Sequence, residues 1–223
     1  MIKLNLNKDQ KVFFTSDTHY NHTNICRGVS RWRDKNGNVP VSQTRNFNNL
    51  DQMNSTIVDN INQVVGENDI LFHLGDWSFG GFDSIKEFRD RIICKNIHLI
   101  LGNHDHHIEN NKNEIASLFT SVSQYQVLYL EYKNRKYSFV LFHYPICSWH
   151  DMNAGRMLLH GHTHLPPDYK IGQGKSIDVG VDGNFLNPYE LSEIISLLEN
   201  KPIKAFNNQH TGSTATAKAN NIV

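Results

Sequence analysis

Short apolar runs recur along the first half of the chain, separated by longer amphipathic stretches. The runs at residues 11–15, 69–74 and 97–101 are each followed by Ser or Gly and then by polar residues, which is typical of buried strands. From Phe47 to Val65 the apolar spacings are three, four and one, and Gly66 follows, which predicts an amphipathic helix with a glycine stop. With another helix predicted at 84–93, the pattern favours parallel strands joined by right-handed connections.

The second half predicts a hairpin and a closing helix. A helix is expected at 114–119 and strands at 125–132, 137–143, 156–160 and 176–181. The first two of these strands flank Lys133-Asn134-Arg135-Lys136, which indicates an antiparallel hairpin. Asn187-Pro188-Tyr189-Glu190 offers an N-cap, a first-turn proline and a capping-box glutamate, so a last helix is predicted to begin there.

The length and the ending of the chain predict one domain and a tail. A chain of 223 residues can bury one full core, and we assign residues 1–206 to a single domain. Residues 207–223 are polar, small and aperiodic, so they are predicted to be disordered and dispensable. The three cysteines, Cys26, Cys94 and Cys147, are an odd number without close pairing, and reduced thiols are expected.

The balance of charge limits the classes of binding partner that the sequence indicates. Lys+Arg and Asp+Glu both number 22, so no broad basic surface for nucleic acid or membrane is indicated. The first ten residues lack the apolar core of a secretory signal, and no apolar run approaches the roughly 18 residues of a membrane helix. We expect a cytoplasmic protein without a membrane partner. The oligomeric state is left open.

The unusual feature is thirteen histidines, most of them near the ends of apolar runs. Five clusters follow predicted strands, namely Asp17-Thr18-His19, Gly75-Asp76, Gly102-Asn103-His104-Asp105, His143 and Gly161-His162-Thr163-His164. In Asp17-x-His19 and His162-x-His164, alternate residues of an extended segment point to the same side. Imidazole, carboxylate and amide groups without thiolate favour a divalent ion such as Mn, Fe, Ni, Co or Zn.

Each cluster also has a purely structural interpretation. Asp17 and Asp76 could cap helices, His143 could be a hydrogen-bonded histidine, and Gly102 and Gly161 could each serve a tight turn. Taken singly, these interpretations are at least as good as the chemical one. Their joint occurrence at five strand ends favours a metal site.

In these motifs the sequence resembles the calcineurin-like metallophosphoesterase superfamily, in its compact single-domain bacterial and phage branch. The resemblance rests on FTSDTHYNHTNICRG, DILFHLGDWSF, LILGNHD, HYPICSW, LLHGHTH and DVGVDGNFLNP, and extends over residues 11–199. It implies an α/β sandwich of two mixed β-sheets flanked by helices, in α-β-β-α layers.

The resemblance also implies a dinuclear centre, with manganese as the first choice of metal. Asp17, His19 and His164 would hold one ion, Asn103, His143 and His162 the other, and Asp76 would bridge both. Two such ions clamp a phosphate, and a hydroxide between them attacks phosphorus in line. His104 is the candidate general acid for the leaving oxygen. Asp105 is placed outside the metal ligands, either stabilising the turn or orienting His104.

The substrate is less defined than the chemistry. Trp77-Ser78-Phe79 replaces the Asp-Arg-Gly continuation of protein serine/threonine phosphatases, which disfavours that specificity. The polar segment 27–48 carries four arginines, Arg27, Arg31, Arg33 and Arg45. For any one of them a solvated surface position is expected, although a guanidinium could reach a phosphate. Arg27 and His22 are the candidate substrate contacts, and for His22 a helix-capping or ligand-supporting role is an equal alternative.

Three functions follow from these observations. The first is hydrolysis of phosphodiesters or phosphomonoesters of small molecules, including nucleotides. The second is a metal-dependent nuclease, which the zero net charge disfavours. The third, a non-catalytic binding scaffold, is expected to have lost ligands, whereas all seven and the candidate acid are present here.

Overall fold

The protein consists of two five-stranded sheets packed face to face, as seen in a computed structural model that describes residues 1–27, 45–168, 170, 172 and 174–203. Strands are numbered in chain order. The first sheet has the order β10 (Tyr189–Glu190), β2 (Val12–Thr15), β3 (Ile70–His73), β4 (Asn96–Ile100) and β5 (Ser121–Ser123). Strands β2 to β5 are parallel and β10 is antiparallel to β2, so the parallel arrangement predicted for the three apolar runs is confirmed.

The second sheet contains the predicted hairpin. Its order is β1 (Ile2–Leu4), β6 (Tyr125–Tyr132), β7 (Arg135–Phe142), β8 (Met157–His160) and β9 (Ser176–Asp178). Strands β6 and β7 are antiparallel, and β7, β8 and β9 are parallel. The turn is shorter than expected, with only Lys133 and Asn134 between the strands, at φ 51° and 61°. Two residues of positive φ match the right-handed twist of a tight hairpin.

Helices cover the first sheet on its outer face. Helices α1 (Leu50–Val64) and α2 (Phe82–Arg91) bury Met53, Ile57, Ile61, Ile85 and Phe88 against one side of the sheet. The other side of the sheet forms a second core with the facing sheet and with α5 (Leu191–Leu198). Because alternate strand residues point to opposite faces, neighbouring residues such as Phe13 and Phe14 belong to different cores. The predicted fold class is confirmed.

Several predicted boundaries were wrong, for local reasons. Helix α1 begins at Leu50 and not at Phe47, because the Asn49 side chain accepts a hydrogen bond from the Gln52 amide and caps it. The single helix expected at 114–119 is instead a series of short helices, namely α3 (His106–Asn110), α4 (Lys112–Ile115) and a 3-10 turn at Ala116–Leu118.

The predicted start of the last helix was also wrong. Tyr189 and Glu190 form β10, which pairs with Phe13 and Phe14 of β2, and the helix begins only at Leu191. Its N-cap residue, Glu190, makes no capping hydrogen bond with its side chain. Backbone pairing with a distant strand therefore overrode the local capping signal.

Two further expectations concern the cysteine thiols and membrane-spanning helices. Cys26 and Cys94 are buried, Cys147 is exposed, and all three are free, as expected. Over the described residues, no helix has both the length and the apolar character required to cross a bilayer. The predicted tail, residues 207–223, lies outside the described residues.

Candidate metal centre

The five sequence clusters meet where strands of both sheets end. Asp17 and Asp76 follow β2 and β3, Asn103 follows β4, and His143 and His162 follow β7 and β8. Two glycines allow this approach: a Cβ at Gly102 would collide with the Asp76 carboxylate, and one at Gly161 would collide with the Asp17 carboxylate. Any side chain at either position would therefore push the candidate ligands apart.

The ligand atoms fall into two groups that share a boundary. Asp17, His19 and His164 present one ligand atom each within 4.8 Å of one another, and so do Asp76, His143 and His162. The Oδ2 atom of Asp76 lies 3.3 Å from His19 Nε2 and 3.5 Å from His143 Nε2. Asp76 therefore faces both groups.

Asn103 joins the second group. Its Oδ1 atom lies 3.1 Å from Nε2 of His143. The structure thus brings together all seven side chains that the sequence analysis named as metal ligands, and their division between two ions stays a prediction.

The backbone of the ligands is strained. Left-handed φ values, from 46° to 73°, occur at five of the seven candidate ligands, namely Asp17, His19, Asp76, His162 and His164. A non-glycine residue in this region costs about 1–3 kcal/mol and persists where the surroundings enforce it, often at functional sites. Such strain at five candidate ligands is an independent sign of function.

Asp105 holds the two turns of the first sheet together. Its carboxylate accepts hydrogen bonds from the amides of Asp76 (2.7 Å), Trp77 (3.0 Å) and Gly102 (2.8 Å). Burial raises the pKa of Asp105 to about 6, although these donors favour the ionised form. Asp105 therefore fixes the turn behind Asp76, which matches the turn-stabilising role considered from sequence.

Hydrogen bonds fix which imidazole nitrogens face the site. Nδ1 of His143 lies 2.7 Å from the Leu74 carbonyl oxygen, which can only accept, so Nδ1 carries a proton and Nε2 is the nitrogen that faces the site. His164 does the same through Asp182, whose Oδ2 lies 2.8 Å from Nδ1. In metal sites, such outer partners orient the ligating histidine.

His19 provides the test of whether a metal fits here. Both of its ring nitrogens are buried and have no hydrogen-bond partner among the described residues. Burial lowers the pKa of His19 well below its ordinary value, so the ring is neutral. A buried, neutral imidazole with a free lone pair 3.3 Å from a carboxylate oxygen suits a divalent ion, because such an ion satisfies both groups.

The charge distribution supports the same conclusion. Although burial opposes protonation, Asp76 and Asp17 raise the pKa of His143 to about 9. Burial raises the pKa of Asp17 to about 6. Without a metal ion, a proton held on His143 compensates the charge of Asp76, and a divalent ion would replace that proton.

Arg45 and Asp182 form a support that the sequence analysis missed. Arg45 is 1% exposed, and its Nε and Nη2 lie 2.8 Å and 3.0 Å from the two oxygens of Asp182. It also donates to the carbonyl oxygens of Asp17 (2.6 Å) and Thr18 (3.2 Å). For Arg45, the expectations of a solvated surface position or of a contact with phosphate were wrong, because its guanidinium is buried and hydrogen-bonded to Asp182 and to two backbone carbonyl oxygens.

The remaining candidates lie around the rim. The ring of His104 is 5.2 Å from that of His19, and its backbone amide donates to Asp76 Oδ1 at 2.9 Å. One of its ring nitrogens also lies within 4.8 Å of ligand atoms of His19 and Asp76, so its assignment as acid rather than ligand stays a prediction. His22 stacks on Phe79 with a centroid distance of 4.0 Å and makes no capping hydrogen bond.

Arg27 is exposed and donates to the Asn48 carbonyl oxygen at 3.4 Å. Its proposed contact with substrate stays a prediction. Arg31 and Arg33 lie outside the described residues.

Comparison with known proteins identifies a family, a protein of similar sequence and a crystal structure of similar fold. The sequence profile of the family described as calcineurin-like phosphoesterase matches residues 10–166. An uncharacterised protein of Methanocaldococcus jannaschii, MJ1445, is 30% identical over 196 residues, which cover 85% of this chain and 92% of that protein. The crystal structure of AQ665 from Aquifex aeolicus, a protein of unknown function, superposes with a TM-score of 0.57 at 23% identity, covering 85% of this chain and 100% of the other. The second likeness supports the fold alone.

Proposed function

The chain belongs to the calcineurin-like phosphoesterase family, and from this membership and the geometry of its site we propose that it hydrolyses phosphate esters with two divalent metal ions. The observation that carries the proposal is the position of Asp76, whose Oδ2 lies 3.3 Å from His19 Nε2 and 3.5 Å from His143 Nε2. A carboxylate in this position can bind one ion on each side.

We assign the residues to the two ions in two sets that share Asp76. Asp17, His19 and His164 would hold one ion and Asn103, His143 and His162 the other, with Asp76 shared. When bound, the two ions would neutralise the phosphate and supply an activated water molecule as nucleophile. The donor set of imidazole, carboxylate and amide suits Mn, Fe, Ni, Co or Zn, with manganese as the first choice.

His104 is proposed to act on the leaving group. Its backbone amide is fixed by Asp76 Oδ1, while its ring is only partly buried and lies 5.2 Å from that of His19. A histidine placed there can donate a proton to the departing oxygen. His104 thus completes the reaction without holding a metal ion.

The substrate is proposed to be a small phosphorylated molecule, such as a nucleotide. Of the two aromatic residues that closely follow Asp76, Trp77 is fully buried, whereas Phe79 is exposed beside the site, where a small molecule could contact it. Zero net charge disfavours a nuclease, which stays the second candidate.

A metal-reconstitution experiment tests the proposal. Metal-free protein is loaded with Mn, Co, Ni, Zn or Fe and assayed on p-nitrophenyl phosphate, bis-p-nitrophenyl phosphate, cyclic nucleotides and short oligonucleotides. We expect two ions per chain, metal-dependent turnover, and loss of both ions' tight binding in Asp76→Asn. A matched control is Asp151→Asn, which alters a carboxylate paired with Arg156 away from the site.

Two results would contradict the proposal. One is a stoichiometry of one ion that Asp76→Asn leaves unchanged, which would remove the bridging role. The other is the absence of turnover on every ester with every metal, which would favour a binding protein. Preferential turnover of oligonucleotides would support the nuclease instead.

A further inference from the structure

An exposed aromatic ring lies beside the candidate acid. Phe79 is 42% exposed, and its ring centroid is 4.0 Å from that of His22, with the planes 6° apart, and 5.7 Å from that of His104. Its neighbour Trp77 is fully buried. Exposing a phenyl ring to water next to a polar site is unfavourable, and the core does not require it here.

Phe79 is held rigidly in this position. Its amide donates to the Tyr20 carbonyl oxygen at 2.7 Å, and its own carbonyl accepts from the Ser84 hydroxyl at 2.9 Å. Its ring lies against the imidazole of His22. Because backbone and ring are both fixed before any ligand binds, a planar group could stack on Phe79 without first ordering it.

A second exposed ring lies beside a different part of the site. Tyr144 is 36% exposed, and its ring is 4.8 Å from that of His162 and 5.0 Å from that of His143. Tyr144 therefore borders candidate metal ligands, whereas Phe79 borders the candidate acid. The two rings differ in which part of a substrate they can meet.

We propose that Phe79 is a specificity-determining residue that stacks against a planar ring carried by the leaving group, so that the substrates are aryl or nucleoside phosphate esters. The inference rests on the proposed function, because it is the role of His104 that places the leaving group beside Phe79. Aromatic rings pair in offset or edge-on arrangements, which tolerate different ring systems. The ring therefore selects for planarity and not for one base.

A pair of phosphonates tests this inference without turnover. Phenylphosphonate and methylphosphonate carry the same charged group, differ in the ring, and resist hydrolysis because of the P–C bond. Their dissociation constants are measured by calorimetry on the metal-loaded protein. We expect wild type to prefer phenylphosphonate, and Phe79→Leu to lower that preference by about two- to twelvefold, which corresponds to roughly 0.5–1.5 kcal/mol for an aromatic pair.

Three variants make the result specific. Phe79→Tyr keeps a ring and should restore the preference for phenylphosphonate. Phe82→Leu alters a phenyl ring of similar exposure, 41%, at the start of α2, with no ring contact to a site histidine among the described residues, and should keep the preference. Tyr144→Leu should also keep it.

The possible outcomes distinguish failure of this inference from failure of the proposed function. Equal affinity of wild type for both phosphonates, or an unchanged preference in Phe79→Leu, would overturn the role of Phe79 and leave the proposed function standing. Loss of the preference for phenylphosphonate in Tyr144→Leu alone would place the stacking site at Tyr144 and not at Phe79. If neither phosphonate bound the metal-loaded protein while ester turnover persisted, this inference alone would be wrong; absence of turnover as well would also overturn the proposed function.

Discussion

Replacing Asp182 by Asn should weaken one of the two metal sites and spare the other. Asp182 accepts the Nδ1 proton of His164 at 2.8 Å, which leaves Nε2 of that ring directed at Asp17, 3.8 Å away. The carboxylate fixes the ring and makes its other nitrogen a stronger ligand. Removing the charge loses the second effect, even where the amide oxygen keeps the hydrogen bond.

The expected losses of metal affinity and of stability follow from the buried contacts of Asp182. Loss of a carboxylate that supports a ligating histidine typically costs 10–100-fold in metal affinity, or about 1.4–2.7 kcal/mol. Stability should also fall, because Arg45, with a fully buried side chain, loses its counter-ion. Breaking a buried pair costs about 3–5 kcal/mol, and we expect the lower end because Arg45 still donates to the carbonyl oxygens of Asp17 and Thr18.

The assay is competitive titration of metal-free protein with zinc or manganese against a chelator of known affinity, together with urea unfolding of the metal-free form. Arg45→Lys separates the two effects: it loses the two-pronged contact and some stability, yet leaves Asp182 to accept from His164, so metal affinity should fall far less. Asp151→Asn disrupts another Arg–Asp pair and should change neither metal site.

The reasoning would be refuted by either of two results. If Asp182→Asn weakened both binding steps equally, the carboxylate would be acting through general stability and not through His164. If neither step changed while stability fell, the Arg45–Asp182 pair would serve the fold alone.

Three other predictions follow from the same structure. Replacing His104 with Asn should lower turnover of esters with poor leaving groups by roughly 10²–10⁴-fold and of nitrophenyl esters much less, with both metals retained; loss of metal would make it a ligand. Asp76 and Asp17 raise the pKa of His143 to about 9 from its ordinary 6.5. The contribution of His143 to the stability of the metal-free protein is therefore complete below pH 6.5 and is lost as pH rises through about 9, which urea unfolding at pH 6 and 9.5 would reveal. Metal affinity should rise over the same pH range. Phe14→Ala, at a fully buried ring stacked on another at 5.5 Å, should cost about 3–5 kcal/mol of unfolding free energy, and a flat result would mean that the core closes around the cavity.

Periodicity determined much of the fold. The three apolar runs that became β2, β3 and β4 and the spacing that became α1 were readable because burial on one or both faces imposes a repeat on the residues themselves. The clustering of histidine and aspartate after those runs was equally local. Since parallel strands end at one edge of a sheet, the same information placed Asp17, Asp76 and Asn103 together, whereas the approach of His143 and His162 depends on the packing of the second sheet.

Contacts between distant segments were decided only by the tertiary structure. Tyr189 and Glu190 had the local signature of a helix start and became strand β10, because their backbone pairs with β2, far away in the chain. Strands β1 and β5, three residues each, are too short to impose a detectable repeat.

The support of the site was decided in the same way. Arg45 and Asp182 are 137 residues apart, and no local pattern distinguishes a buried arginine from a solvated one in a polar segment. The left-handed backbone at the ligands was equally invisible, because it depends on hydrogen bonds such as those from the His162 amide to Asp17 at 2.9 and 3.0 Å. The sequence by itself determined which side chains could bind metal, while the fold decided their orientation, because orientation depends on partners brought near only by folding.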